Sequence, residues 1–151
     1  LLLVKGFTPA IVSGGTLKLD DGDEEGIPIP GIADLLTTYG DGRVNVNAAP
    51  KRVLMTVPGM DEAAADAILE EREGTVDEKG QTTPAPFESV EDMFRRVPDL
   101  DRAMLQRYLS TSSSIFRIIS TGTVGSVKTT IWCIVTFDGK TMTTLRWREE
   151  D

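Results

Sequence analysis

The chain has 151 residues, 40% of them hydrophobic, which is enough for one domain core or two small ones. Acidic residues outnumber basic ones 24 to 16, giving a net charge of −8, whereas phosphate-driven nucleic-acid binding expects a basic face. Histidine is absent and Cys133 is the only cysteine. This removes Ser-His and Cys-His nucleophile pairs, the commonest zinc ligand and any internal disulfide.

Residues 1–14 read as the end of one helix, a turn at Lys5-Gly6, and a short helix capped by Thr8 with Pro9 in its first position. Gly14-Gly15 stops it. The chain opens on Leu1-Leu2-Leu3-Val4 without an initiator Met and reads as a piece of a longer protein. No apolar run reaches the roughly 20 residues of a membrane helix, and no signal peptide is present. Asp20 through Gly31 forms an acidic loop rich in Gly and Pro that sustains neither a helical nor a strand period. Within it, Asp20, Asp21, Asp23, Glu24 and Glu25 with Gly26 partly resemble a calcium loop, since hard cations need several converging oxygens. Ile32 stands where an EF-hand has its closing carboxylate, which excludes that motif. Two readings stay open: a looser calcium site and a solvated acidic loop. Ile32 to Thr38 makes a short helix or strand.

The block 44–110 reads as helical. Asn47 is expected to cap a helix over 48–57 with Pro50 in its first turn. The turn Val57-Pro58-Gly59-Met60 follows, and Asp61 caps a helix over 62–73 ended by Gly74. A polar loop spans 75–86. Ser89 opens a helix through Met93 and Phe94; Val97-Pro98-Asp99-Leu100 repeats the turn. Asp101 starts a last helix with Met104, Leu105, Tyr108 and Leu109 on one face. The repeat is internal, and Lys5-Gly6-Phe7-Thr8-Pro9 is a degenerate third copy. Two such units form a tandem helix-hairpin-helix, whose turn N–H groups can hold a phosphate. Here Asp61 occupies the second small position and Asp99 replaces Gly59 in the repeat, so carboxylates face the place a phosphate would take. Lys51, Arg52, Arg95, Arg96, Arg102 and Arg107 supply a local basic component.

From Ser114 the period becomes two. Ile115–Val124, Val127–Phe137 and Lys140–Arg148 read as strands, joined by Gly125-Ser126 and by a two-residue hairpin at Asp138-Gly139. Val127, Thr129, Ile131, Cys133, Val135 and Phe137 share one face, Cys133 reads as a buried thiol, and Trp132 and Trp147 as sheet packing. The class is α+β, divided into 1–43 (helix and loop), 44–110 (tandem hairpins) and 111–151 (three-stranded antiparallel meander).

The order of parts resembles the K-class minor pseudopilin of bacterial type II secretion, across essentially the whole chain. The likeness lies in Leu2-Leu3-Val4-Lys5-Gly6-Phe7-Thr8-Pro9, Ala33-Asp34-Leu35-Leu36-Thr37-Thr38-Tyr39-Gly40-Asp41-Gly42, Val44-Asn45-Val46-Asn47-Ala48-Ala49-Pro50, Pro86-Phe87-Glu88-Ser89-Val90-Glu91-Asp92 and Ser113-Ser114-Ile115-Phe116-Arg117-Ile118. Competence-type DNA receptors share the Asn-x-Asn-Ala and Pro-Phe-x-Ser signals, which keeps a DNA-uptake receptor as the alternative. The resemblance implies a SAM-like hairpin domain inserted in a pilin-like body with an N-terminal membrane helix, on the periplasmic face of the inner membrane. It also implies a non-catalytic subunit at the pseudopilus tip, partnered by the I- and J-class minor pseudopilins. Nucleic acid is not expected as a partner, and calcium is implied for some members only.

Overall fold

The computed structural model describes residues 1–17, 26–74 and 82–150. The chain forms two compact units, Leu1–Thr38 and Tyr39–Asp151.

In the first unit, α1 (Pro9–Ser13) follows an N-cap at Thr8 whose hydroxyl accepts from the Ile11 N–H, as its sequence requires. Leu1–Val4 is a turn closed by the Val4 N–H on the Leu1 carbonyl, where a helix end was expected. After α1, β1 (Gly15–Leu17) pairs antiparallel with β2 (Ile27–Ile29). The expected Gly/Pro-rich loop therefore contains a strand at its end. Pro28 is tolerated because a two-stranded ribbon consists only of edges. A 3-10 turn covers Ala33–Leu35.

Among the described residues, every buried hydrophobic lies in the second unit. It begins with β3 (Val44–Asn45), which runs parallel to β4 (Leu109–Ser110) and brings the ends of the helical segment together. Between them lie α2 (Lys51–Leu54), α3 (Glu62–Glu73), α4 (Val90–Arg96), α5 (Arg102–Leu105) and a 3-10 turn, Gln106–Tyr108. Asp61, Ser89 and Asp101 cap α3, α4 and α5 by accepting from the N–H groups of Ala64, Asp92 and Met104. The core joins Val46, Leu54, Val57, Met60, Ile68, Phe87, Met93, Phe94, Leu105 and Leu109. Each large side chain fully buried there contributes about 1.5–3 kcal/mol. Met104, expected on the buried face of α5, is 44% exposed. That helix has only four residues before it tightens, too few to carry four residues inward.

Beyond β4, the strands β5 (Ile115–Val124), β6 (Val127–Phe137) and β7 (Met142–Glu150) form one antiparallel sheet in chain order. Val124 pairs with Val127 across the two-residue turn Gly125-Ser126, with Gly125 at φ +61°. The second connection is longer than the expected two residues, because Phe137 pairs with Met142. Asp138 organises it: its carboxylate accepts from the Lys140 and Thr141 N–H groups at 2.9 and 2.7 Å. The third strand accordingly starts two residues later than predicted. The register slips between Ile134 and Val135, which face Arg146 and Thr144, so Leu145 is a bulge in β7.

Candidate functional site

The Asn-x-Asn segment is built differently from a capped helix. Asn45 forms a local turn, its side-chain oxygen accepting from the Asn47 N–H at 2.9 Å, and its amide reaches Ser113. The Asn47 side chain leaves its own strand-to-helix connection altogether. It accepts from the Phe87 N–H at 2.8 Å and donates to the carbonyls of Phe87 (2.9 Å) and Thr111 (3.1 Å). The N-cap of α2 is instead Pro50, which makes no side-chain cap bond. The expected cap is thus a clasp across three chain segments, and α2 is shorter than the predicted 48–57 because nothing caps it earlier.

Two arginines complete the clasp. Arg72 on α3 donates to the carbonyls of Val46 and Ala49, each at 2.9 Å. Arg96 on α4 lies 4.4 Å above the Phe87 ring, donates to the Ala85 carbonyl and to Glu71, and stays 19% exposed. Nothing local in the sequence points to these partners; Arg96 is one of the cations of the expected basic component. The placement of Phe87 brings Arg96 to the clasp, and the return of α3 beside Val46 and Ala49 brings Arg72.

The first hairpin turn is closed by the Met60 N–H on the Val57 carbonyl at 3.0 Å. Pro58 precedes Gly59, whose φ of +85° suits the third position of a type II turn. A Cβ on Gly59 would collide with the Met104 thioether, which therefore sits directly on the turn. Pro98 and Asp99 lie exposed in the repeated turn, where no described non-glycine residue has positive φ. The repeat copies the position and not the turn type, since Asp99 does not adopt the positive φ of Gly59.

The electrostatics follow the same pattern of internal use. Asp61 takes the Ala64 N–H at 2.8 Å and Asp101 the Met104 N–H at 3.1 Å, donors a phosphate would otherwise receive. Lys51 is shared between Glu62 and Asp66, both at 2.8 Å, and these partners, Asp66 first, raise its pKa. Arg95 pairs with Asp92, and Arg102 with Glu91 at 3.6 Å while lying 5.7 Å from the Phe94 ring centre. Arg107 lies over Tyr108. The Asp92 carboxyl is held below the ordinary range by the Glu88 N–H and then by Arg95 and Arg96. Lys51, Arg95, Arg96, Arg102 and Arg107, cations of the expected basic component, thus have acidic or aromatic partners within the segment.

The sheet is open by contrast. Phe116, Ile118, Ile131, Cys133, Val135, Phe137, Met142 and Trp147 share one face by alternation and register. Only Val135 is fully buried among them, and Trp147 is 60% exposed. Cys133 is half-buried, not enclosed as expected. Phe116, Arg117, Ile118, Val135, Phe137 and Met142 line an open, mostly apolar hollow of about 380 Å³. Trp147, expected to pack the sheet, stays outside the buried core.

The proposed calcium ligands Asp20, Asp21, Asp23, Glu24 and Glu25 lie outside the described residues. Among the described residues no three acidic, cysteine or histidine side chains converge as a metal site, and no helix is long and apolar enough to cross a membrane.

Comparison with known proteins yields no match among curated proteins or solved structures. Residues 44–112, from the first residue of β3 to just past β4, match the family model of type II secretion system (T2SS), protein K.

Proposed function

We propose that this chain, which through residues 44–112 belongs to the type II secretion system protein K family, is a non-enzymatic structural subunit at the pseudopilus tip. The family makes it a component of the type II secretion pseudopilus, associated with the cell envelope. The tip position, the I- and J-class partners and the periplasmic face are our reading.

The observation that carries it is that the protein's own groups fill the helix starts after both turns and cover the first turn. Asp61 and Asp101 take the helix-start donors, and Met104 covers Gly59. A turn so filled cannot bring its backbone against a phosphate, so the tandem helix-hairpin-helix serves as packing. The absence of histidine from the chain also favours assembly over hydrolytic chemistry. The apolar sheet face supplies what an assembly subunit needs, since contiguous exposed apolar surface marks protein contacts.

Mixing the chain with the soluble domains of I- and J-class minor pseudopilins and measuring mass by light scattering tests the reading. A stoichiometric ternary complex is expected. Separate elution of all three, together with salt-dependent retention of duplex DNA at about 0.15 M salt, would replace it with the competence-type receptor.

A further inference from the structure

The two edges of the three-stranded sheet are unlike. The β7 edge is broken by the bulge at Leu145 and carries Arg146, Arg148 and Glu149, devices that keep a strand from pairing further. The β5 edge has neither. It runs for ten residues without a bulge or a proline, and Arg117 is its one charge. Among the described residues no strand pairs with its outer side, and the backbone hydrogen bonds outside helices and strands do not touch residues 115–124. Every residue of β5 after Ile115 is exposed, so this edge is open to solvent.

The ladder determines which backbone groups face out. Opposite residues of an antiparallel pair alternate between exchanging both backbone hydrogen bonds and exchanging none. The Phe137 N–H donates to the Ser114 carbonyl at 2.7 Å, which starts the bonded series. With the register unbroken, Phe116, Ile118, Ser120, Gly122 and Val124 turn their N–H and C=O groups to β6. Ile115, Arg117, Ile119, Thr121 and Thr123 therefore turn theirs to the free edge. These five are symmetric about Ile119. Laid antiparallel against itself on a two-fold axis at Ile119, β5 sets Ile115 opposite Thr123 and Arg117 opposite Thr121, and every outward residue finds a partner. Slipping the register by two residues leaves one outward residue of each strand without one. On the other face the same register sets Ile118 opposite Ser120 and Phe116 opposite Gly122. A Cβ on Gly122 would meet nothing within 4 Å, so there is room for an aromatic ring across from it. The two Arg117 side chains stand four residues apart along the strands, roughly 13 Å at the usual rise. That exceeds the distance of about 8 Å over which physiological salt screens charge.

We propose that β5 is a pairing edge for a second copy of this chain, joining two three-stranded sheets into one sheet of six strands about an axis at Ile119. Self-complementarity selects this occupant, because an isologous contact uses the same edge twice and closes. A β5-to-β7 contact would run on without closing, and it meets the bulge. Pairing also makes the apolar faces continuous. Phe116 and Ile118, which lie beside Val135 and Cys133 in each copy, come next to the same face of the other. Each copy carries a net charge of −8, so association should strengthen as salt screens the repulsion. The inference goes beyond the tip-assembly reading and does not rest on it. It is measured on the chain alone, so it can fail while a ternary pseudopilin complex forms, and the reverse is equally measurable.

Sedimentation equilibrium of the whole chain tests this. A monomer–dimer equilibrium is expected, with a dissociation constant on the order of 100 μM that falls as salt rises from about 0.05 to 0.5 M. Ile119→Lys sets two ammonium groups opposite each other at the axis and should weaken the dimer about tenfold or more. Leu145→Lys, on the other edge, should leave it unchanged. A covalent readout fixes the register independently of how the lysine variant folds. In a Cys133→Ser background, Ile119→Cys places two thiols at the axis, where the Cα atoms of a bonded pair lie about 5.5 Å apart, within disulfide reach. Oxidation by copper–phenanthroline should link the two chains there. Thr123→Cys in the same background puts the thiols at opposite ends of the contact and should not link them. A single-chain mass at up to about 1 mM, or undiminished dimerisation of folded Ile119→Lys, overturns the proposal. So does linkage through Thr123→Cys and not through Ile119→Cys.

Discussion

Asn47 shows how much one side chain can hold when its partners come from far along the chain. Its amide satisfies the Phe87 N–H and carbonyl and the Thr111 carbonyl, so removing it leaves backbone groups without a partner. Asn47→Ala should cost about 2–3 kcal/mol, the scale of an orphaned buried group. Urea unfolding checks this: the midpoint should fall with the slope unchanged. Asn47→Asp keeps the acceptor but loses the donor, and should lie between. Gly59 is constrained twice, by its φ of +85° and by Met104 over its Cα. Gly59→Ala should cost about 1–2 kcal/mol in backbone strain, and truncating Met104 to Ala as well should not restore that part.

Two carboxylates contribute stability that is sensitive to acid. Asp92 is depressed by the Glu88 N–H and by Arg95 and Arg96, and Asp138 by the Thr141 and Lys140 N–H groups. A carboxylate with a lowered folded-state pKa contributes its full stabilisation above its unfolded value, about 3.9. That contribution is lost as pH falls through the lower folded-state values. Denaturant midpoints measured from pH 5 downward should therefore decline, and the combined Asp92→Asn and Asp138→Asn variant should decline less steeply.

At the scale of elements, caps and core decide which segments are firm. α4 is only seven residues long, too short to persist alone, yet it carries Met93 at 0% and Phe94 at 8% exposure. Met93→Ala should cost about 2–5 kcal/mol through lost burial and the cavity left behind. Ile119→Ser on the sheet should be near neutral to about 0.5 kcal/mol, because that residue is 60% exposed. Thermal unfolding of both variants measures the contrast. A large effect of Ile119→Ser would show that the sheet face is covered in the isolated chain.

The elements also explain where sequence reading succeeds. Helix starts at Thr8, Asp61, Ser89 and Asp101 are local events, each a short polar side chain reaching an N–H three residues on. Strands β5 and β6 have the predicted bounds because their turns and period are written within a few residues. Local reading fails where the partner is distant. Val44-Asn45 is a strand only because Leu109-Ser110 returns beside it, and Ile27–Ile29 is one only because it meets Gly15–Leu17.

For the whole molecule, the core of the described residues lies in the second unit, and no described residue of 1–38 is buried. A chain comprising residues 39–151 should therefore fold alone, with a thermal midpoint within about 4 °C of the parent, the shift that about 1 kcal/mol produces. Differential scanning fluorimetry reports it directly; a collapse of the transition would mean that the first unit supports the core.

The caps, the strand period, the acidic balance and the family motifs are properties of neighbouring residues, and the sequence alone determined them. Tertiary structure decided the rest: that Asn47 clasps Phe87 and Thr111, that Met104 seals Gly59, and that a bulge at Leu145 breaks the edge of β7. These depend on which distant segments become neighbours. That is set by the shared burial of Val46, Leu54, Phe87, Met93 and Leu109, not by any local preference of the residues that then meet.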